Sequence, residues 1–275
     1  MPTFDNGYLK LKMMAKEQRM KIVKGQTALI TGASKGIGVN ITRILAAKGM
    51  NLVLAARSVS ELAAVRDEME ALGVSAVAVP TDVGDQKALA DLVDRAMSEF
   101  GPIDVLMNNA GIERNMMYEH VYLDDIEQMI QVNLHAPMAL TRLVLPHMLT
   151  RNSGHIVNMA SAAGVMPTPF TEPYAATKYG LAGFTRSLRL TLQETGSAVS
   201  ASVICPGFLD DTGMYENQKQ QYQVKTSPLI GSVKAQKAAD AVVRAIENDL
   251  LEVMVMPGMP RRRMAMNALF PRLTD

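Results

Sequence analysis

The sequence predicts a doubly wound α/β domain in which a seven-stranded parallel sheet carries helices on both faces. Short apolar runs alternate with long helical patterns along the chain, and this alternation is typical of parallel sheets. The 275 residues, 48% of them hydrophobic, suffice for one large core, and no internal repeat or interdomain linker divides them. The predicted strands cover residues 27–31, 51–56, 75–79, 103–107, 155–160, 199–205 and 252–256.

The first predicted strand leads into a glycine-rich turn and then into a helix that closes at residues 48–49. Gly32, Gly36 and Gly38 allow backbone N–H groups to approach a pyrophosphate, and the helix N-terminus adds a partial positive charge. Their spacing, Gly-x-x-x-Gly-x-Gly, differs from the commoner dinucleotide fingerprint Gly-x-Gly-x-x-Gly. Glycines also collect in ordinary loops, but the place of this turn between a strand and a helix favours a Rossmann-type nucleotide site.

Tyr174 and Lys178 stand four residues apart at the start of a predicted helix, so both side chains share one helical face. A free tyrosine has a pKa of about 10, and we expect the neighbouring ammonium to lower the pKa of Tyr174. Such a pair can move a proton to or from an alcohol or carbonyl oxygen. The alternative interpretation is an aromatic ring packed against a lysine stem.

Two further polar residues fall where ligands bind in open α/β sheets. Ser161 follows the strand predicted at residues 155–160, at the carboxyl edge of the sheet, although a serine that merely starts a loop would look the same. Asn133 lies in a stretch, residues 124–149, that is predicted to be one long helix. Pro137 has no N–H to donate to the carbonyl of Asn133, so this carbonyl is expected to hold a water or to mark a bend in the helix.

Taken in order, these motifs resemble the short-chain dehydrogenase/reductase family, in its single-domain branch. The resemblance covers the chain from about Lys24 to Pro257. It implies a Ser–Tyr–Lys–Asn tetrad of catalytic residues and hydride transfer to or from a nicotinamide, with a water relay that runs from the Asn133 carbonyl to the lysine. The motifs that carry it are TGASKGIG at 31–38, NNAG at 108–111, Asn133, Ser161, the Tyr174–Lys178 pair, and Pro206-Gly207.

The resemblance also implies the residues that contact the cofactor, with Asp82 placed at the adenine ring. One departure affects the loop after the sixth strand. The family usually places a threonine five residues after the proline of Pro-Gly, where this chain has Asp211, and Thr212 follows one position later. The implied contacts are Gly32, Ser34, Lys35, Gly36, Ile37, Gly38, Arg57, Asp82, Val83, Asn109, Ala110, Gly111, Tyr174, Lys178, Pro206, Gly207, Phe208 and Thr212.

The end of the second strand predicts which nicotinamide dinucleotide is used. A free ribose 2′-hydroxyl is usually bound by an acidic residue near this point, whereas a 2′-phosphate is bound by arginine. Ala56 occupies the acidic position, Arg57 follows it, and Lys35 adds a second positive charge from the glycine turn. With two basic residues and no carboxylate, we predict NADP(H). The alternatives are an exposed residue at a helix start for Arg57 and a solvated loop charge for Lys35.

Composition excludes several other classes of protein. The lone cysteine, Cys205, lies in an apolar strand and reads as core, and the four histidines show no metal-ligand spacing, so we predict no metal site. The net charge of +1 and the lack of interleaved aromatic and basic residues argue against nucleic acid as a partner. No run of 18 apolar residues is present, and we expect a soluble, cytoplasmic protein.

The two ends of the chain differ in charge from its body. We predict a basic extension at residues 1–24 with a charge of +4, a single domain at 25–258 whose lid region spans about 208–230, and a basic, partly apolar tail at 259–275 with a charge of +3. A disordered start and a tail packed on a neighbouring subunit or on the pocket would explain these ends. Peripheral contact with an anionic membrane surface is the other interpretation.

The leading hypothesis is an NADP(H)-dependent oxidoreductase that acts on a secondary alcohol, ketone or aldehyde. Several methionines near the expected pocket suit an apolar small-molecule substrate, although methionine also replaces leucine in ordinary cores. A non-catalytic NADP(H)-binding partner protein is the alternative on this fold, and an isomerase or epimerase would need a substrate domain for which the chain has no room. The family resemblance further implies a homodimer or homotetramer, in line with the closed symmetry of most oligomers.

Overall fold

The computed structural model describes residues 20–166, 168–210 and 231–258, and these form one seven-stranded parallel sheet. The strand order is β3-β2-β1-β4-β5-β6-β7. The predicted fold class is confirmed, and no predicted strand boundary moves by more than one residue. The strands are β1 Thr27–Thr31, β2 Asn51–Ala56, β3 Ala76–Pro80, β4 Ile103–Asn108, β5 His155–Met159, β6 Ser200–Pro206 and β7 Glu252–Val255.

Helices cover both faces of this sheet. One layer is formed by α1, α2 and α7, and the other by α3, α5 and α6. Short 3₁₀ turns at Tyr118–His120 and Ala162–Gly164 lie in two of the connections. The helices are α1 Gly36–Ala47, α2 Val59–Ala71, α3 Gln86–Phe100, α4 Leu123–Ile130, α5 Ala136–Arg151, α6 Glu172–Glu194 and α7 Ala235–Glu247.

The continuous apolar runs of the strands follow from this two-sided burial. Successive side chains of a strand point to opposite faces. In β1, Ile30 therefore joins the core under α1, α2 and α7, while Leu29 joins the core on the other face. Both residues are fully buried. A strand covered on both faces has no solvent side, which explains why these runs do not alternate between apolar and polar residues.

The long helix predicted around Asn133 is present but is not uniform. Between α4 and α5 the backbone forms a π-helical turn over Gln131–His135, and the helical path then continues to Arg151. Pro137 cannot donate the α-helical hydrogen bond to the Asn133 carbonyl. The departure from regular α-helical geometry thus lies at the Asn133 carbonyl, where the missing N–H led us to expect one.

The strand order places a topological switch point between β1 and β4. From β1 the chain moves outward through β2 and β3, then returns to pair β4 with β1 and continues to the opposite edge. Ligands of open α/β sheets bind outside the carboxyl ends of the strands at such a point. The glycine turn follows β1 and the NNAG segment closes β4, so both predicted motifs lie at this switch.

Several predictions concern residues beyond the described ranges. Most of the basic extension, most of the lid region, the tail and Thr212 fall there, so the predicted role of each stays a prediction. At the C-terminal end of the extension, where the described residues begin, Met20 is buried in the core. Of the helices that the structure describes, none combines the length and apolar character needed to cross a bilayer. Co-sedimentation with anionic vesicles would test the predicted membrane contact.

Candidate active site

The backbone conformation and close packing of the glycine turn exclude residues with side chains. Gly32 and Gly36 have φ angles of 65° and 56°, in the left-handed region that favours glycine. A β-carbon at Gly38 would lie only 2.0 Å from the carbonyl oxygen of Gly32. Lys35, the N-cap of α1, makes no side-chain capping hydrogen bond. The first turn of α1 thus presents backbone N–H groups at a close-fitting cradle, which suits a pyrophosphate.

Thr31 joins the glycine turn to the NNAG segment at the switch point. Its hydroxyl accepts hydrogen bonds from the backbone N–H groups of Asn109 and Ala110 at 3.0 and 3.1 Å. The Asn109 amide donates to the carbonyls of Thr31 and Gly32 at 3.0 and 3.2 Å. These hydrogen bonds join the end of β1 to the end of β4, so the predicted contact residues of the two segments lie side by side. Thr31 was not predicted as a site residue, although it is the first residue of the TGASKGIG motif.

The predicted phosphate-binding residues lie at the ends of β1 and β2, which are in register at Thr31 and Ala55. Arg57 is exposed and has no ion pair within the described ranges. Lys35 is exposed too, but its Nζ lies 2.7 Å from Oε1 of Glu61 in α2. The end of β2 carries no carboxylate, as expected, but the first turn of α2 brings the carboxylate of Glu61 to the glycine turn.

The remaining predicted contacts surround this cradle on the same edge of the sheet. Asp82 follows β3, and its Oδ1 accepts a hydrogen bond from the Gly84 N–H at 2.9 Å, while Val83 beside it is buried. Pro206 ends β6, Gly207 donates to the Val255 carbonyl at 3.0 Å, and the Phe208 carbonyl accepts from the Val233 N–H at 3.0 Å. Ser34 and Ile37 are half-buried in the glycine turn.

Ser161 and Tyr174 come together beyond the end of β5. The Ser161 hydroxyl accepts a hydrogen bond from the Ala163 N–H at 3.2 Å, which starts the 3₁₀ turn that positions the serine. Tyr174 lies in the first turn of α6 and is 7% exposed. The two side chains are neighbours, and their interaction is one of the effects on the pKa of Tyr174. The predicted hydroxyl pair is thus formed by two segments that sit 13 residues apart in the sequence.

Lys178 lies one helical turn after Tyr174 and is almost fully buried, with 3% exposure. Its Nζ donates to the Met159 carbonyl at 2.9 Å and sits 5.6 Å from the centre of the Tyr174 ring. A β-carbon on Gly111 would lie 3.4 Å from this Nζ. The ammonium therefore stands between the tyrosine, the end of β5 and the NNAG segment.

Asn133 is fully buried in the π-helical turn and uses its side chain to hold the loop after β4. Oδ1 accepts from the Ile112 N–H at 2.8 Å, and Nδ2 donates to the Ile112 carbonyl at 2.8 Å. Nδ2 also donates to the Thr177 hydroxyl at 3.2 Å. The role predicted from the sequence involved only the backbone carbonyl of Asn133. The structure adds a positioning role for its amide, which links the NNAG segment to α6.

The pKa of Tyr174 moves opposite to the expected direction. Burial raises the pKa of the phenol, the Glu113 carboxylate raises it further, and the hydrogen bond with Ser161 lowers it only in part. Burial likewise lowers the pKa of Lys178, to about 8, against a smaller opposing effect of Glu113. The prediction that Lys178 draws the tyrosine pKa down is therefore corrected. Desolvation is the largest effect on the pKa of each group.

Glu113 is a further candidate site residue, which was not predicted from the sequence. It lies two residues after the NNAG segment, is half-buried, and its charge reaches both Tyr174 and Lys178. A carboxylate near a phenol and an ammonium makes both harder to deprotonate. The only signal in the sequence was its position directly after a recognised motif.

Comparison with known proteins agrees with this geometry. A family model described as short chain dehydrogenase matches residues 26–223. The ketoacyl reductase HetN of Nostoc sp. is 43% identical over 236 residues, which cover 86% of this chain and 80% of the relative. A short chain dehydrogenase/reductase from Burkholderia phymatum in complex with NAD superposes with a TM-score of 0.82 at 27% identity, covering 92% of this chain and 96% of the other.

A second solved structure is a variant of actinorhodin polyketide ketoreductase with NADPH. It has a TM-score of 0.76 at 28% identity and covers 84% of this chain and 95% of its own. The family match extends over more than half of the chain, and it includes the glycine turn, the NNAG segment and the Ser161–Tyr174–Lys178 group. The chain belongs to the short-chain dehydrogenase/reductase family of oxidoreductases.

Proposed function

We propose that this protein is an NADP(H)-dependent oxidoreductase that interconverts a ketone or aldehyde and the corresponding alcohol. The observation that carries the proposal is the convergence of Ser161, Tyr174 and Lys178 on one side of a glycine-lined cradle at the switch point. A protein that only sensed the dinucleotide would need the cradle and Arg57. It would have no use for a buried tyrosine hydroxyl that lies beside both a half-buried serine and a buried ammonium.

The residues of the cradle fit a nicotinamide dinucleotide. The turn at Gly32 and Gly38 has no space for side chains, and a glycine turn at the start of a helix suits a pyrophosphate because backbone N–H groups can approach it. Arg57 offers a guanidinium for a 2′-phosphate, and Lys35 offers an ammonium. When bound, the nicotinamide would supply or accept the hydride. The solved relatives carry NAD in one case and NADPH in the other, so the choice of NADP(H) rests on these two basic residues.

The chain's own residues would handle the proton. Because burial keeps the Tyr174 phenol protonated, it can donate its proton to a carbonyl oxygen as the alcohol forms. In the reverse direction the phenolate form of Tyr174 would accept the proton of the alcohol. Ser161 would donate a hydrogen bond to the same oxygen. Lys178, with a pKa of about 8, can carry a proton at neutral pH and stabilise the phenolate that is left behind. Asn133 would act by holding the NNAG loop in place.

The substrate that we propose is a small molecule whose carbonyl lies on an apolar chain. Large apolar side chains are exposed on the two loops that approach the tetrad, Met117 and Tyr118 after β4 and Phe170 before α6. These loops are joined by a hydrogen bond of 3.2 Å from the Met116 N–H to the Phe170 carbonyl. The name ketoacyl reductase for the Nostoc relative supports 3-oxoacyl compounds as the first class to test.

A panel of aliphatic ketones and 3-oxoacyl thioesters, assayed with NADPH and with NADH by the absorbance of the reduced nicotinamide, tests the function. Turnover with NADPH on apolar members is expected. Arg57→Asp should move the preference toward NADH, because it removes a phosphate partner and adds an acceptor for a ribose hydroxyl. Tight NADPH binding without turnover on the whole panel would favour the non-catalytic alternative.

We also propose that the protein is a homodimer or homotetramer. The outer surfaces of α5 and α6 expose large apolar residues, among them Met138, Leu149, Tyr179 and Leu190. Exposed apolar groups of this kind are common at interfaces between copies of a chain. Analytical ultracentrifugation at micromolar concentration is the test, and a monomer there would contradict the proposal.

A further inference from the structure

The ion pair between Lys35 and Glu61 stands at the proposed binding site of the 2′-phosphate. It joins the N-cap of α1 to the third residue of α2, with 2.7 Å between Nζ and Oε1. Arg57 lies on the short connection between β2 and α2, so three charged side chains surround the end of β2. Two of them are the positive groups assigned to the phosphate, and the third is a carboxylate.

The Glu61 carboxylate is held as an anion in this position. The hydrogen bond from Lys35 is the largest effect that lowers the pKa of the Glu61 carboxyl, and Ser58 adds a smaller effect of the same sign. The second carboxylate oxygen, Oε2, is shielded from solvent and has no hydrogen-bond partner in the ranges that the structure describes. The ion pair with Lys35 thus places the Glu61 carboxylate at the rim of the proposed site.

A 2′-phosphate and the Glu61 carboxylate would compete for the same ammonium. A phosphate monoester carries about −1.5 to −2 charges at pH 7, and a nearby carboxylate repels it. If Lys35 binds the phosphate, it must share its charge with Glu61 or leave it. NAD(H), which lacks this phosphate, makes no such demand on Lys35.

We propose that Glu61 is a specificity-determining residue. By forming an ion pair with Lys35 it weakens the binding of NADP(H), and so it reduces the preference of the protein for NADP(H) over NAD(H). This inference rests on the proposed use of Lys35 and Arg57 for the 2′-phosphate. Arg57, which has no ion pair within the described ranges, then supplies most of the attraction for the phosphate. Lys35 attracts the phosphate only to the extent that its charge is not neutralised by Glu61.

Isothermal titration calorimetry with NADP⁺, NAD⁺, 2′,5′-ADP and 5′-AMP tests the inference without relying on turnover. Glu61→Gln should tighten NADP⁺ and 2′,5′-ADP by about two- to fivefold, the range that exposed ion pairs support. It should leave NAD⁺ and 5′-AMP unchanged. Glu70→Gln is the matched control, because it removes the same charge from an exposed position at the far end of α2, where no effect on any ligand is expected.

A double-mutant cycle identifies the route of the effect. In a Lys35→Gln background, Glu61→Gln should lose most of its effect on 2′,5′-ADP, because there is no ammonium left to release. Unchanged or weaker binding of 2′,5′-ADP to the single variant Glu61→Gln would overturn the inference. So would a loss of NAD⁺ binding, which would make Glu61 an acceptor for the ribose hydroxyl.

Arg57→Ala, measured with the same four ligands, separates this inference from the proposed cofactor. If it weakens NADP⁺ and 2′,5′-ADP while Glu61→Gln has no effect, the NADP(H) assignment stands and the role of Glu61 is rejected. If Arg57→Ala leaves the affinities for NADP⁺ and 2′,5′-ADP unchanged, the proposed site of the 2′-phosphate is wrong, and the inference about Glu61 is rejected with it.

Discussion

The side-chain amide of Asn133 is hydrogen-bonded through both of its polar atoms to one backbone unit, that of Ile112. Oδ1 accepts the N–H and Nδ2 donates to the carbonyl, each at 2.8 Å. Ile112 directly follows the NNAG segment, so this pair of hydrogen bonds holds the loop that carries Glu113. The π-helical turn thus places a helical side chain where it can act as a partner for an otherwise irregular loop.

Asn133→Ala should lower the free energy of unfolding by about 2–3 kcal/mol, because it leaves the Ile112 N–H and carbonyl without their buried partner. Turnover should fall as the loop loses its position. Chemical denaturation and steady-state assays provide the two measurements. Asn248→Ala is the control, because it removes an exposed amide whose hydrogen bond goes to the Arg244 carbonyl at the end of α7. It should lower the free energy of unfolding by less than Asn133→Ala does and should leave turnover unchanged. A variant as stable as the wild type would show that the loop holds itself in place.

Tyr174→Phe should reduce turnover by about 10²–10⁴-fold, the usual contribution of a general acid or base, while the affinity for NADP⁺ stays nearly unchanged. The ring still fills the same buried space, so stability should change little. Tyr179→Phe removes a hydroxyl from an exposed tyrosine of the same helix and should keep wild-type turnover. Near-normal turnover of the Tyr174 variant would remove the tyrosine from the proposed mechanism.

How far the sequence predicts the site depends on what kind of contact is involved. The strands could be predicted because burial on both faces demands continuous apolar runs, and the carboxyl ends of those strands then place Ser161 and the NNAG segment at one edge. The Lys35–Glu61 ion pair could not be predicted, because it depends on how α2 is oriented over the glycine turn. The direction in which the pKa of Tyr174 shifts could not be predicted either, since residue spacing indicates which residues are neighbours but not how deeply they are buried.

Glu113→Gln should shift the pH profile of turnover to lower pH. Burial is the main cause of the raised pKa of Tyr174, and the Glu113 carboxylate is the next; its charge also raises the pKa of Lys178. Removing the charge lowers both pKa values. In the direction of carbonyl reduction, the protonated phenol is needed, so the activity should be lost at a lower pH than in the wild type.

The shift can be measured from kcat at saturating ketone and NADPH across the alkaline range. Glu119→Gln, an exposed residue further along the same loop, controls for a general change in surface charge and should leave the profile in place. An alkaline shift in the Glu113 variant, or equal shifts in both variants, would show that the carboxylate does not act on the tyrosine and the lysine.

Lys178→Met should abolish turnover but make the protein more stable at pH 7. Burial lowers the pKa of Lys178 from 10.5 to about 8, which corresponds to a cost of about 3 kcal/mol for keeping the ammonium charged in the folded state. Methionine avoids this cost with a side chain of similar shape. The Met159 carbonyl loses its hydrogen bond, worth about 1 kcal/mol, so the expected net gain is about 2 kcal/mol.

The pH dependence of this gain gives the decisive measurement. Below pH 8 the lysine is charged in both the folded and the unfolded chain, and the folded state bears the full cost. Between pH 8 and 10.5 the folded protein holds a neutral amine while the unfolded chain still binds the proton, so the stability of the wild type rises relative to the variant. Denaturation of both proteins from pH 7 to pH 10 should therefore show a shrinking difference. Lys237→Met, at an exposed position of α7, should show no such trend, and a constant difference for Lys178→Met would mean that its ammonium is not destabilised by burial.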